Sequence, residues 1–480
     1  MQTNPLFDKY KDDYTDLQDF FDGERQVKKK GDRYTPCLEG HKKTIDEGLY
    51  ERYVEFGILY NALHRTRQGL KGAILRKPTD IIFPESKKEL LDTIMLDGAS
   101  FNDFIRETCD SILGFGRFGA LVDIGVDEVP YVATYNALSI LNWPTIRSKD
   151  VKQEIQLMET IEIPDLEDTS KTKQISQLRK LEIDVTGFYL VTLYRKEEKE
   201  AGQSSDEWSP VESTVNAPNP RMPKYKGKRL NFIPFVFFGS SSNVPSPSRP
   251  PLLDLLNILK GHWKLTVSYQ YGLYFAGLPT PWFAGFEHEE GAKAPLGPGA
   301  AYFAADPNAT CGFLQTGGEG LSAMEHGLDR LEKQMAIVGS RMLMEEQRAG
   351  IEAAETVRLR SSGDSVTLSD VAGNIEAGLT DVLQFIGFWE GIVPTECSAS
   401  VNKDFVSSRL GAQEITALVQ TVQAGQISTD TFIYNLIQGE IIRPGKTIEE
   451  EMEDIAEDKL TAARNNPNLT FVGANILAET

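Results

Sequence analysis

Apolar residues in "GLYERYVEFGILYNALHRTRQGLKGAIL" recur at close to helical spacing, at Tyr50, Val54, Ile58, Leu63 and Leu70. That pattern predicts that residues 1–80 are largely helical. "RKPTDIIFP" ends the run with a proline and a short strand-like triplet. "SKKELLDTIMLDGASFNDFIRETCDSIL" predicts a helix, a break at Asp97-Gly98 and a second helix. "GALVDIGVDEVPYVATY" and "SILNWPTI" predict strands. "DVTGFYLVTLYRKEE" and "NFIPFVFFG" flank a Ser-, Pro- and Asn-rich excursion at 201–225, to which the pattern assigns nothing. This half of the chain is mixed α and β.

The pattern changes at "GSSSNVPSPSRPP" (239–251), a linker or helix-start signal. A helix over about Leu252–Ala276 follows, with Leu, Trp and Tyr on several of its faces. Residues 277–320 hold turns too dense for a helix and predict a small β-rich module. A helix over 321–343 then carries Leu321, Met324, Leu328, Leu331, Met335, Val338 and Met342. Their steps of 3, 4, 3, 4, 3 and 4 form a heptad seam. After a polar break at 344–351, Leu368, Val371, Ile375, Leu379, Val382 and Ile386 again step by 3 or 4. Each stripe fits either the buried face of an ordinary helix or a contact between subunits. Residues 395–465 read as helical and acidic, followed by a tail without pattern. The fold class is α+β, mainly helical.

Composition narrows the function. Lys and Arg number 50 and Asp and Glu 70 in 480 residues, a formal charge of −20. So acidic a chain is poorly suited to gripping nucleic acid, because phosphate binding rests on Lys and Arg. It is compatible with letting nucleic acid pass without holding it. The cysteines, Cys37, Cys109, Cys311 and Cys397, form no C-x-x-C pair, so neither a disulfide frame nor a zinc site is expected. "MQTNPLFDKYKDDYTD" lacks the features of a signal peptide, and no apolar run nears the roughly 20 residues of a membrane span. A soluble protein made in cytosol is expected.

Catalytic chemistry is sparse. "GFGRFG" gives Gly114-x-Gly116-x-x-Gly119, but a helix precedes it and a strand follows, the reverse of a dinucleotide site. A structural helix-to-strand turn is expected there. "GEIIRPGKT" places Gly439 before Gly445-Lys446-Thr447 with one residue too many for a phosphate loop. The histidines His41, His64, His262, His288 and His326 lack metal-ligand spacing. Glu287, His288, Glu289 and Glu290, with Lys293 nearby, make an acidic loop whose default reading is a solvated turn, a cation site being the alternative. The basic runs Lys28–Lys30 and Arg221–Arg229 read as solvated loops. No cofactor, no metal and no enzymatic activity are expected.

The ordered series of elements resembles the portal proteins of tailed bacteriophages, in particular one portal family long described only as phage proteins of unknown function. The phrases that carry the resemblance are "YERYVEFGILYNALHRTRQGLKGAILRKP", "GFGRFGALVDIG" with "PYVATYNALSILNW", and "LDLLNILKGHWKLTVSYQYGLYFAGLPTPWFAG". It continues through "MEHGLDRLEKQMAIVGSRML" and "AAETVRLRSSGDSVTLSDVAGNIEAGL", so that residues 25–460 are covered. The resemblance implies a ring of about a dozen copies at one capsid vertex, with double-stranded DNA passing non-specifically through its channel. Implied partners are a terminase motor, major capsid and scaffolding proteins, and neck, adaptor or tail proteins. The implied location is the virion, without a membrane.

The same resemblance implies a placement for each segment. Residues 1–245 would be the wing, 246–277 the first stem helix, 278–320 the clip and 321–343 the second stem helix. Residues 344–352 would be the tunnel loop, 353–394 a long kinked helix, 395–465 the crown and 466–480 a tail. Met344, Glu345, Glu346, Gln347, Arg348 and Gly350 would then face the channel. Arg348 alone suits phosphate, while Glu345 and Glu346 repel it. Glu287, His288, Glu289, Glu290 and Lys293 would lie in the docking face of the clip, and the seam Leu321–Met342 would pack stem helices side by side. The alternatives are a head-to-tail adaptor, another self-assembling virion scaffold or a cytosolic coiled-coil scaffold, and, from the two glycine patterns, a nucleotide-binding enzyme.

Overall fold

In a computed structural model of the chain, the residues described are 3–37, 48–125, 128–144, 153–164, 172–199, 203–214, 218–278, 280–286, 306–314, 319–344, 368–403, 405, 412–424, 426–438, 441–442 and 447–465. They fall into a unit ending at Lys403 and a second unit beginning at Asp404. Helix and sheet are mixed, as the α+β reading expected.

The first unit opens with helices α1 (Pro5–Asp22), α2 (Glu24–Lys29), α3 (Leu49–Glu55) and α4 (Ala62–Ile74). Asn4 caps α1 by accepting from the Leu6 amide at 3.0 Å, with Pro5 at the first helical position. Strand β1 (Asp80–Ile82) follows, then a 3-10 stretch over Glu85–Asp92 where the sequence pattern expected an α-helix. Only Leu91 of that stretch is buried, so no apolar stripe holds it in α form. Helix α5 (Phe101–Phe115) begins with a capping box. Ser100 Oγ accepts from the Asp103 amide at 3.2 Å, and the Asp103 carboxylate accepts from the Ser100 amide at 3.3 Å.

Strands β2 (Arg117–Ile124) and β3 (Pro130–Asn136) come next, then β4 (Ile140–Asn142), β5 (Glu154–Pro164), β6 (Thr172–Ile183), β7 (Tyr189–Lys199) and β8 (Gln203–Pro210). A small hairpin, β9 (Lys224–Tyr225) with β10 (Lys228–Arg229), precedes β11 (Phe235–Gly239). Two antiparallel sheets result, one ordered β11-β2-β3 and the other β4-β5-β6-β7-β8. Strand β8 lies inside the Ser/Pro/Asn-rich stretch that the sequence pattern did not place.

Helix α6 (Leu253–Gly277) leads to strands β12 (Thr280–Ala284) and β13 (Thr310–Leu314), which pair antiparallel, and then to α7 (Glu319–Met344). Helix α8 (Leu368–Glu390) packs on the β11-β2-β3 sheet, with Gly378 leaving room for the Phe238 ring and Trp389 Nε1 donating to the Val122 carbonyl at 3.2 Å. Its stripe Leu368, Val371, Ile375, Leu379, Val382 and Ile386 is fully buried, so of the two readings of that stripe the core face holds. Between α5 and α8, β2 is buried on both sides, which suits its apolar stretch at 118–122. Strand β14 (Ser398–Ser400) pairs with β1 and ties residues 398–400 into this first unit.

The second unit contains α9 (Ala412–Gln423), α10 (Thr429–Gln438) and α11 (Ile448–Asn465). Thr447 and Glu450 form a reciprocal cap at the start of α11, at 3.2 and 3.0 Å. Ile433 of α10 is buried.

Candidate assembly surface

Helix α6 changes character along its length. Leu253, Leu255, Leu256, Leu259, His262, Trp263, Thr266 and Val267 are buried, whereas Leu273, Tyr274 and Phe275 are exposed. The buried part is pinned to the N-terminal helices. Trp263 Nε1 donates to Thr35 Oγ1 at 2.8 Å, and Gly57 gives the indole room, since a Cβ there would stand 2.4 Å from the ring. Lys260 pairs with Asp16, which also accepts from Arg33 Nε at 2.6 Å and from the Tyr34 hydroxyl at 3.0 Å. Burial opposes ionisation of Asp16, but the bonds from Lys260, Arg33 and Tyr34 outweigh it and hold the carboxyl below its usual range. Further along α6, Tyr53 and Ser268 hydroxyls meet at 2.8 Å, and the Tyr271 ring lies edge-on to Tyr53 and Phe56.

Helix α7 runs back along α6. Gly272 of α6 faces Leu321, and Gly327 of α7 faces Leu265, so glycine on each helix admits a leucine from the other. His262 Nε2 lies 3.3 Å from Glu332 Oε1, and Gly339 lies against Thr66 of α4. The heptad seam is the covered side of α7. Met335 is buried, while Leu321, Met324, Leu328, Leu331 and Val338 are half-buried between exposed polar neighbours. At Leu321 the seam is engaged within its own chain. Met342 and Met344 lie in the last turn of the helix.

At the far end, β12 and β13 bridge the helices. Trp282 lies over Gly312, where an added Cβ would stand 3.0 Å from the indole nitrogen. Leu278, Trp282 and Phe313 are 59%, 45% and 61% exposed. With Leu273, Tyr274 and Phe275 they form an apolar end to the hairpin, and Ile337 adds an exposed apolar side chain on α7. Sequence reasoning had not singled these residues out. Their signal was apolar side chains set among prolines and glycines in "GLPTPWFAGF", where a monomeric loop would be polar.

Glu287, His288, Glu289, Glu290 and Lys293 lie outside the described residues, as do Glu345, Glu346, Gln347, Arg348, Gly350 and the phosphate-loop-like Gly439 and Lys446. The Gly114–Gly119 motif is the turn from α5 into β2. Gly116 has φ +69° and closes the helix, and Gly119 leaves room for the Phe235 ring. No helix N-terminus follows it to meet a pyrophosphate. In the basic runs Lys28 pairs with Glu24 at 2.9 Å, Lys30 with Asp19 at 3.5 Å and Arg221 with Asp123, while Lys224, Lys226, Lys228 and Arg229 are exposed. Among the described residues no group of three or more His, Cys, Asp or Glu is placed to hold a metal, and no helix is long and apolar enough to cross a membrane.

Residues 251–390 match the family described as a domain of unknown function, DUF4055. No curated protein matches the chain. Similar solved structures are chains of gene transfer agent particles. One, from the neck of the empty particle, is 10% identical with a TM-score of 0.36, over 79% of this chain and 91% of that one. Another, from the native virion, is 10% identical with a TM-score of 0.37, over 82% and 93%. A third, from the neck of the native particle, is 11% identical with a TM-score of 0.36, over 78% and 89%.

Proposed function

We propose that this chain is a portal-type subunit of a phage or phage-like particle. Copies assemble into a ring through which double-stranded DNA is packaged, retained and ejected, and the chain carries no catalysis of its own. One observation carries the reading: α6 and α7 form a hairpin whose buried half is anchored in the body and whose ribbon end presents Leu278, Trp282 and Phe313 to solvent. Exposed apolar side chains grouped at one end of a hairpin suit an interaction face. In this reading 246–277 and 321–343 are stem helices, 278–320 the clip that docks a terminase motor and then neck proteins, and 344–352 the tunnel loop. Residues 1–245 form the wing and 395–465 the crown. The sequence resemblance over residues 25–460 supports the same assignment, and a charge of −20 suits a conduit better than a clamp.

Native mass spectrometry and negative-stain imaging of the purified full-length chain test the proposal. Closed rings with a central hole are expected. A monodisperse monomer at every salt and protein concentration would overturn it.

A further inference from the structure

Arg117 opens β2 at the centre of the Gly114–Gly119 motif, and the reading above gives it no role. Its side chain is 2% exposed. Its guanidinium lies 3.9 Å from the centroid of the Trp143 ring and 5.5 Å from that of Phe237. Nη1 donates to the Pro245 carbonyl at 2.6 Å, and Nε and Nη2 are buried with no hydrogen-bond partner. Among the described residues no carboxylate acts on its charge. Burial pushes the guanidinium down to about 10, opposed only by Tyr14, so it remains a cation at neutral pH. A buried cation without a counter-charge is costly.

Two further buried groups near Arg117 are unpaired. The Tyr14 hydroxyl from α1 lies within electrostatic reach of Arg117, and Trp143 Nε1 belongs to the ring stacked on it. Tyr14 and Trp143 are 1% and 3% exposed. The unpaired groups are N–H and O–H donors around one positive charge, which excludes a metal cation as the occupant. The Trp143 and Phe237 ring faces attract the guanidinium, but a water molecule at these donors would bring no negative charge to it. The burial of all three side chains excludes a phosphate or carboxylate carried on a macromolecule.

We propose that Arg117, Tyr14 and Trp143 form a buried binding site for a small inorganic anion of halide or nitrate size. The bound anion accepts from Arg117 Nε and Nη2, the Tyr14 hydroxyl and Trp143 Nε1. It joins α1 to the start of β2 and to the segment after β4, beside the loop that carries Pro245. The site is independent of ring assembly.

The test uses the full-length chain at fixed ionic strength, replacing gluconate by chloride, bromide or nitrate. Binding to the folded state raises Tm saturably, by a few degrees at high occupancy. Tyr14→Phe keeps the ring and removes one donor, and Trp143→Phe keeps a smaller aromatic face while removing the indole N–H. Each is expected to move the midpoint of the anion dependence to about tenfold higher concentration, the scale of one hydrogen bond to a charged group. Arg117→Met removes the dependence where it folds. Bromide-containing crystals supply a readout that does not rely on variants, an anomalous peak between Arg117 and Tyr14. An anion dependence absent from the wild type or unchanged in both phenylalanine variants, or water alone at these donors in saturating bromide, overturns the proposal.

Discussion

His262 is the titratable group most closely built into the α6–α7 contact. It is 4% exposed and faces Glu332 at 3.3 Å, the Thr266 hydroxyl at 3.3 Å and the Tyr60 ring at 5.4 Å between centroids. Burial pushes its pKa down from 6.5, and Glu332 pulls only partly the other way. The unfolded chain therefore takes up a proton at a pH where the folded ring still resists it, and stability falls as pH drops through about 6.5. Tm measured from pH 8 to pH 5 should fall more steeply for the wild type than for His262→Gln. Equal slopes would show that the ring is not held neutral by its surroundings. This residue was visible in the sequence only as a histidine without metal spacing. Arg117 was likewise hidden in a glycine motif whose turn was legible but whose central side chain was not. Burial and partnering depend on contacts distant in sequence, such as Trp143, Pro245 and Tyr14, which no local pattern reveals.

At the scale of elements, the hairpin divides into an anchored half and an exposed apolar end, and the two should respond differently to mutation. Trp282→Ser combined with Phe313→Ser removes exposed apolar surface without opening a core, so circular dichroism and Tm should change little. The midpoint concentration for self-assembly, read by mass photometry, should rise about tenfold or more, because buried aromatic anchors dominate interfaces. An unchanged midpoint would remove the ribbon end from the interface. Helices α6 and α7 were legible to within a residue or two because their apolar spacing is long and regular. Strands β5 and β6 were missed. Their alternation is present at Ile155, Leu157, Ile161 and Ile163, but it is broken at Glu159. That carboxylate pairs with Arg179 at 2.6 Å and accepts from the Tyr135 hydroxyl at 2.6 Å, so a polar network occupies positions where a pattern reader expects apolar ones. The seam of α7 was legible as a covered face. Its first leucine proved to rest on Gly272 of α6, a contact that periodicity alone does not distinguish from one with a neighbouring copy.

For the whole molecule, the proposed function makes charge the balance between assembling and holding DNA. Each copy carries −20, so bringing copies together sets like charges against one another within a Debye length, about 10 Å at 0.1 M salt. In the proposed ring, apolar contact at the hairpins has to outweigh that repulsion, and added salt screens the repulsion while leaving the apolar term in place. Ring assembly is therefore expected to increase as NaCl rises from about 10 mM toward about 150 mM, across which the screening length shortens from about 30 Å to about 8 Å. Binding of duplex DNA should behave in the opposite sense and remain weak throughout. Lys28, Lys30 and Arg221 are engaged with carboxylates of their own chain, and the formal charge of −20 opposes the approach of phosphate. Fluorescence anisotropy with a labelled duplex should give affinity no tighter than the roughly 10⁻⁴–10⁻⁶ M typical of non-specific binding at physiological salt, with a shallow dependence on log salt. Tight binding with a steep slope would mean that the assembled surface gathers basic residues against the sign of the whole chain. The molecule would then act on DNA as a clamp, and the conduit reading would fail even if rings formed.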